Sequence, residues 1–285
     1  MIRHRFARPC ALSLFLLLSI SGLAQERPFH LILLADTQFG MHAKDAGFAQ
    51  ESANYEFAVA TVNRLKPGAV VVLGDLVNRP GDAAQIAEYK RISARVDPSI
   101  PLYHVAGNHD VGNEPTPESL AAYRSHLGAS RFGFRAGSVY GIVLDSTVIH
   151  RPEGVRREFE EQERWLESEL TKAAASGATH IMVFQHHPYF LEDAGEKDEY
   201  GNIPLELRRR YLDLLRKHGV RYIFAGHNHK DARARDGDLE MGVCGPAGMP
   251  LNGGRSGMLL VTVLGGAVEH RYIDFGALPA SLPEK

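Results

Sequence analysis

Four short segments, far apart in the chain, end apolar runs with side chains that bind metal ions. Asp36-Thr37-Gln38 follows the run 31–35, Gly74-Asp75 follows 69–73, Gly107-Asn108-His109-Asp110 follows 102–106, and Gly226-His227-Asn228-His229 follows 222–225. A fifth, His186-His187-Pro188, follows 181–185. Carboxylates, carboxamides and imidazoles are the donors that divalent cations select. Two such cations held roughly 3.5–4 Å apart repel each other, so a shared carboxylate must bridge them, and Asp75 is the best candidate for that bridge. His227 and His229, one residue apart at a strand end, point to the same side and can each face a different cation. Asn108 offers a neutral amide oxygen, and His109 beside it can point past the metals toward a bound substrate. Gly74, Gly107 and Gly226 permit the tight turns that aim these groups inward.

Each segment alone is a weak signal. Gly-Asp is usually a turn, Asn-His a capped loop and His-x-His a pair of surface histidines. Their shared context carries the argument, because side chains leaving the carboxyl ends of buried strands converge on the crevice where α/β folds place their ligands. His104, His126, His150, His180, His218 and His270 match no part of the pattern and read as ordinary core or surface histidines.

The elements that must position these groups are legible as alternating β-branched runs and helical patterns, which predict an α/β sandwich of sheet and helix layers. Helical spacing covers 51–65, then 158–174 with Trp165, Leu166 and Leu170 on one face, then 205–218 with Leu207, Tyr211, Leu214 and Leu215. Further strands are predicted at 139–144, 258–264 and 267–273, the last two joined at Gly265-Gly266 in a terminal hairpin. The Pro- and Gly-rich stretches 79–82, 112–117 and 245–254 are candidate rim loops. No repeat or linker divides the chain, so one domain is expected over 25–285, with its core at 29–275.

The first residues read differently. Arg3, Arg5 and Arg8 precede the apolar run 11–20, and Gly22-Leu23-Ala24 supplies the small residues of a cleavage site, which predicts a signal peptide over 1–24 and a mature start at Gln25. The expected location is the periplasm or outside the cell. That run falls short of the about 20 residues that span a bilayer, so no stable membrane insertion is expected after cleavage. Loss of three arginines takes the formal charge from −2 to −5, and an acidic chain is a poor partner for a nucleic-acid scaffold. Of the two cysteines, Cys10 leaves with the signal, and Cys244 alone cannot close an internal disulfide.

In order and spacing these segments resemble the calcineurin-like metallophosphoesterases, whose pattern is Asp-x-His, Gly-Asp, Gly-Asn-His-Asp/Glu, a His-containing segment and Gly-His-x-His. The resemblance covers 29–275 and implies a four-layer αββα sandwich around two divalent ions drawn from Mn, Fe, Zn or Mg. Carried over by position, Asp36, Gln38, Asp75 and His229 would hold one ion, and Asp75, Asn108, His186 and His227 the other. His109 would be the catalytic acid, paired with Asp110. His186 is chosen as ligand over His187, which could instead shape the pocket, and Asn78 or Arg79 could reach a phosphate oxygen or belong to a solvated loop.

The implied reaction is hydrolysis of a phosphorylated substrate by a hydroxide bridging the two metals. A phosphomonoester is the expected substrate; a phosphodiester of a nucleotide or phospholipid head group is the alternative, and a non-catalytic module binding phosphorylated ligands is a third reading. One departure stands out: Gln38 occupies the position where the family pattern has histidine, and an amide oxygen is a harder, weaker donor than imidazole. Segments 36–40, 107–117 and 184–188 resemble a subgroup that includes a eukaryotic protein serine/threonine phosphatase, in which this glutamine is expected.

Overall fold

The apolar runs that precede the candidate ligands form the parallel centres of two sheets. The computed structural model describes residues 27–251 and 253–283, so the expected signal peptide lies outside the described residues. In chain order the first half comprises β1 (Phe29–Leu34), α1 (Ala49–Leu65), β2 (Ala69–Val72), α2 (Ala83–Ser93), β3 (Leu102–His104), α3 (Asn108–Val111), α4 (Pro117–Leu127), β4 (Phe132–Ala136) and β5 (Val139–Val143). The second half comprises α5 (Ser146–His150), α6 (Arg156–Ala175), β6 (His180–Phe184), α7 (Leu205–Lys217), β7 (Val220–Ala225), β8 (Ala232–Asp236), β9 (Leu239–Val243), β10 (Gly257–Leu264) and β11 (Ala267–Asp274).

One sheet runs β11-β10-β1-β2-β3 and the other β4-β5-β6-β7-β9-β8. Strands β1, β2 and β3 are parallel, as are β5, β6, β7 and β9, while antiparallel strands close every edge except that of β3. Parallel strands are covered on both faces, which is why they read as unbroken apolar runs and not as alternating ones. Successive side chains divide between two cores. Leu31, Leu33 and Val71 join Met182, Phe184 and Phe224 in the layer between the sheets. Ile32, Leu34 and Val72 pack instead with Tyr55, Val59 and Tyr89 of the helices, and Ile142, Val183 and Ile223 with Leu166, Leu170, Leu212 and Leu215. Each such aliphatic side chain contributes about 1.5–3 kcal/mol by its burial. The product is the expected sandwich of two sheets flanked by helices.

The terminal hairpin forms as expected, with Leu264 paired to Ala267 across Gly265-Gly266. Helices α2 and α4 and strands β4, β8 and β9 were not anticipated. Helix α2 buries little more than Ile86, Tyr89 and Ile92, too sparse an apolar stripe to stand out, although Asp82 caps it by accepting from the N–H groups of Ala84 and Gln85. Among the described residues, no helix is long and apolar enough to cross a membrane.

Strands β1, β2, β3, β6 and β7 all deliver their carboxyl ends to one place. The approach there is close: a Cβ on Gly107 would lie 2.2 Å from the backbone nitrogen of Asp75, so only glycine lets the turn after β3 meet the turn after β2.

Candidate metal centre

The turns that follow these strands are strained, and the strain falls on the candidate ligands. Asp36, Gln38, Asp75, His227 and His229 all have φ between 40° and 72°, five of the eight non-glycine residues with positive φ among those described. Conformations of this kind cost of order 1–3 kcal/mol each and persist only where the surroundings impose them. Hydrogen bonds between segments do so. Asp36 N–H donates to the Gly74 carbonyl (3.1 Å) and Gln38 N–H to the Asp75 carbonyl (2.8 Å). His227 N–H donates to the Asp36 carboxylate (3.1 and 3.2 Å), and His109 N–H to Asp75 Oδ1 (2.8 Å). Four segments remote in sequence are thereby stitched through the carboxylates themselves.

Backbone carbonyls orient the imidazoles. A carbonyl oxygen only accepts, so His186 Nδ1–H donates to Leu73 (2.8 Å), His227 Nε2–H to Tyr200 (3.0 Å) and His229 Nδ1–H to Met249 (2.6 Å). In each ring the other nitrogen is the one turned toward a cation. His186 Nε2 lies 3.2 Å from Asp75 Oδ2, 3.0 Å from Asn108 Oδ1 and 3.2 Å from His227 Nδ1. His229 Nε2 lies 3.7 Å from Asp36 Oδ1.

The field of this cluster favours positive charge. Burial works to raise Asp75, but the facing His186, His109 and His227 hold its carboxyl well below the usual range. Burial also works against a charged His186, yet the Asp75 and Asp36 carboxylates raise it to about 9. The carboxylates that favour a proton on this fully buried imidazole would equally favour a cation there. Burial, followed by the charge on His186, depresses His227 to about 3, which leaves it a neutral donor.

The donor set fits two divalent ions. Donor atoms of Asp36, Asp75 and His186 lie within 4.8 Å of one another, as do those of His186, His187 and His227. Gln38 supplies the decisive detail: its Oε1 is buried and has no hydrogen-bond partner among the described residues. Its Nε2 donates to Asn78 Oδ1 (3.2 Å), and Asn78 Nδ2 donates to Asp45 Oδ1 (2.9 Å), so this relay leaves the oxygen as the free atom. An orphaned buried acceptor costs about 1–3 kcal/mol, a cost that a coordinated cation would remove.

Several expectations are corrected. Asp110 does not pair with His109: its carboxylate accepts from the N–H groups of Leu76 (2.9 Å), Val77 (3.1 Å) and Gly107 (2.8 Å). Burial, then the charge of Asp75, raises Asp110 to about 8 against the pull of these donors. His109 Nδ1–H donates instead to the Asn78 carbonyl (2.8 Å). Asn78 serves Gln38, Asp45 and His109, and Arg79 pairs with Asp82 in an exposed loop.

His187 occupies the cluster in a different way from His186. Ser146 Oγ accepts from the N–H groups of His186 (3.1 Å) and His187 (2.9 Å), which uses its lone pairs, so its hydroxyl donates to His187 Nδ1 (3.0 Å). Burial, then the charges on His227 and His186, push His187 well below the usual range, so the ring is neutral with its proton on Nε2. His186 is the better donor of the two. Sequence reasoning missed Tyr200 and Asn113, which lie on Asn108, and His150, whose ring stacks 4.4 Å from that of His187. None carries a ligand pattern. Nothing local in the sequence ties His150 to the site.

Residues 29–231 match the calcineurin-like phosphoesterase family. The chain belongs to that family. This phosphoesterase is 35% identical over 266 residues to the serine/threonine-protein phosphatase CPPED1 of Bos taurus, across 88% of the chain and 85% of that protein. It is 30% identical over 209 residues to the glycerophosphodiester phosphodiesterase GpdQ of Enterobacter lignolyticus, across 69% of each. A dimetal phosphatase of Danio rerio shares the fold, with a TM-score of 0.59 at 18% identity over 87% of this chain and 99% of that one. The phosphoesterase is thus a hydrolase of phosphoric esters that works with a dinuclear divalent metal centre.

If the orphaned oxygen is a ligand, Gln38→Ala lowers the affinity for one of two cations roughly tenfold or more, about 1.4 kcal/mol. Titration of the apo-protein checks this, and affinities equal to wild type would remove Gln38 from the shell.

Proposed function

We propose that this phosphoesterase cleaves phosphomonoesters, either a phosphorylated protein side chain or a small phosphate ester, after export from the cytoplasm. The observation that carries the substrate class is the similarity to a serine/threonine phosphatase along 88% of the chain. The shorter match to a glycerophosphodiesterase favours a diester as the second reading. Export is supported by the charged, apolar and small-residue order of residues 1–24.

In this reading Asp36, Gln38, Asp75 and His229 would hold one cation, and Asp75, Asn108, His186 and His227 the other. Bound there, the pair would supply a nucleophilic water near neutral pH and offset charge on the phosphoryl group. The chain's own residues do the rest. Asp75, fixed by His109 N–H, would be shared by the two cations. Asn108 turns its amide oxygen inward, toward His186 Nε2. His109 holds its ring by Nδ1–H on the Asn78 carbonyl, which leaves Nε2 as the ring atom from which a proton would pass to the departing alkoxide. Asp110 acts only through the backbone, clamping the turns after β2 and β3 that carry Asp75 and His109. A cavity of about 430 Å³ lined by His229, Lys230, Arg255 and Tyr272 opens beside the centre and offers room for the alcohol portion of an ester.

Three measurements follow from these assignments. With Mn²⁺ restored, p-nitrophenyl phosphate should be turned over with a kcat/KM at least roughly tenfold above that for bis-p-nitrophenyl phosphate, about 1.4 kcal/mol in the transition state; the reverse order supports the diesterase. His109→Ala should keep its metal and lose about 10²–10⁴ in turnover of an alkyl phosphate, less for a good leaving group. Loss of metal from that variant would make His109 a ligand. Intact mass of the exported protein should correspond to a start at Gln25, and a chain that keeps residues 1–24 would contradict export by cleavage.

A further inference from the structure

Tyr200, in the segment between β6 and α7, touches two of the proposed ligands with different atoms. Its carbonyl accepts from His227 Nε2 (3.0 Å), and its hydroxyl accepts from Asn108 Nδ2 (2.9 Å) while donating to Asn113 Oδ1 (3.2 Å). Asn113 Oδ1 also accepts from Asn108 Nδ2 (2.8 Å), and the Tyr200 ring lies 4.8 Å from the His227 ring. With both amide hydrogens of Asn108 drawn outward, only its oxygen is left to face His186 Nε2. With Nε2–H of His227 drawn to the carbonyl, only Nδ1 faces inward. One residue therefore selects the ligating atom of two donors, and both belong to the same cation.

The ligands peculiar to the other cation are oriented elsewhere. Gln38 is held by Asn78, His229 by the Met249 carbonyl and Asp36 by the backbone N–H of His227, none of them by Tyr200. The Tyr200 segment is itself a built support: fully buried Arg208 donates to the carbonyls of Ala194, Glu196 and Ile203, and Asn228 Nδ2 donates to the carbonyl of Gly201.

We infer that Tyr200 is a positioning residue for one cation of the pair, so that the segment joining β6 to α7 sets the affinity of the Asn108–His227 ion without setting that of the Gln38–His229 ion. This rests on the division of ligands proposed above.

The test is calorimetric titration of metal-free protein with Mn²⁺, with the exchange-coupled Mn²⁺ pair followed by electron paramagnetic resonance. Wild type should bind two ions. Tyr200→Phe, which removes one oxygen, should weaken one site about 10–100-fold, leave the other unchanged, and replace the coupled signal by a mononuclear one at the first equivalent. Gln38→Ala should weaken the opposite site, and the double variant both. Tyr200→Phe with both affinities unchanged, or with both weakened equally, would overturn the inference while the ligand division stands. A wild type that binds a single ion would overturn the division of ligands and the inference with it.

Discussion

A carboxylate as deeply buried as Asp75 must be met by positive charge, and the rest of this structure is arranged around that requirement. Asp36 and Asp75 are removed from water together, in a place where solvent cannot screen them. An isolated buried carboxylate is too costly to keep ionised, so it is neutralised, paired or coordinated. In the metal-free protein the proton on His186 meets part of the demand. Two divalent cations would meet it, and backbone carbonyls already turn the surrounding imidazoles of His186, His227 and His229 toward the place they would occupy.

That electrostatic demand explains where the backbone is strained. Left-handed φ at Asp36, Gln38, Asp75, His227 and His229 directs side chains from separate strands into one space, and the core of two sheets and their helices supplies the stability that offsets it. The carboxylates help to impose the strain they require, since Asp36 and Asp75 each accept a backbone N–H from another segment. Folding and ligand placement are thus the same event at this end of the sandwich. Tyr200 and Met249 extend the arrangement outward by fixing which atom of His227 and His229 points in.

What could be read from the sequence was what depends on local chemistry. Runs such as 31–35 and 69–73 are apolar on both faces because the strands lie inside parallel sheets, and the ligand types that follow them are unambiguous as residues. Partner choice was not legible, because it depends on contacts between remote segments. Asp110 follows His109 directly, yet a turn of α3 carries its carboxylate to the N–H groups of Leu76, Val77 and Gly107. Asn78 sits just past Asp75 where a substrate contact was expected, and is instead drawn to Gln38 and Asp45. Tyr200 left no trace in the sequence, since a tyrosine in a polar loop signals nothing until the fold lays it on Asn108.

The central claim is that Asp75 joins two cations in one centre. Asp75→Asn keeps the size of the side chain and removes the charge shared by both ions, so the amide leaves the pair under-compensated. Elemental analysis of this variant after metal reconstitution, with turnover measured on the same sample, is the direct test. Clearly fewer than two equivalents of metal together with a collapse in turnover is the expected result. Two full equivalents at wild-type turnover would rule out Asp75 as the shared ligand.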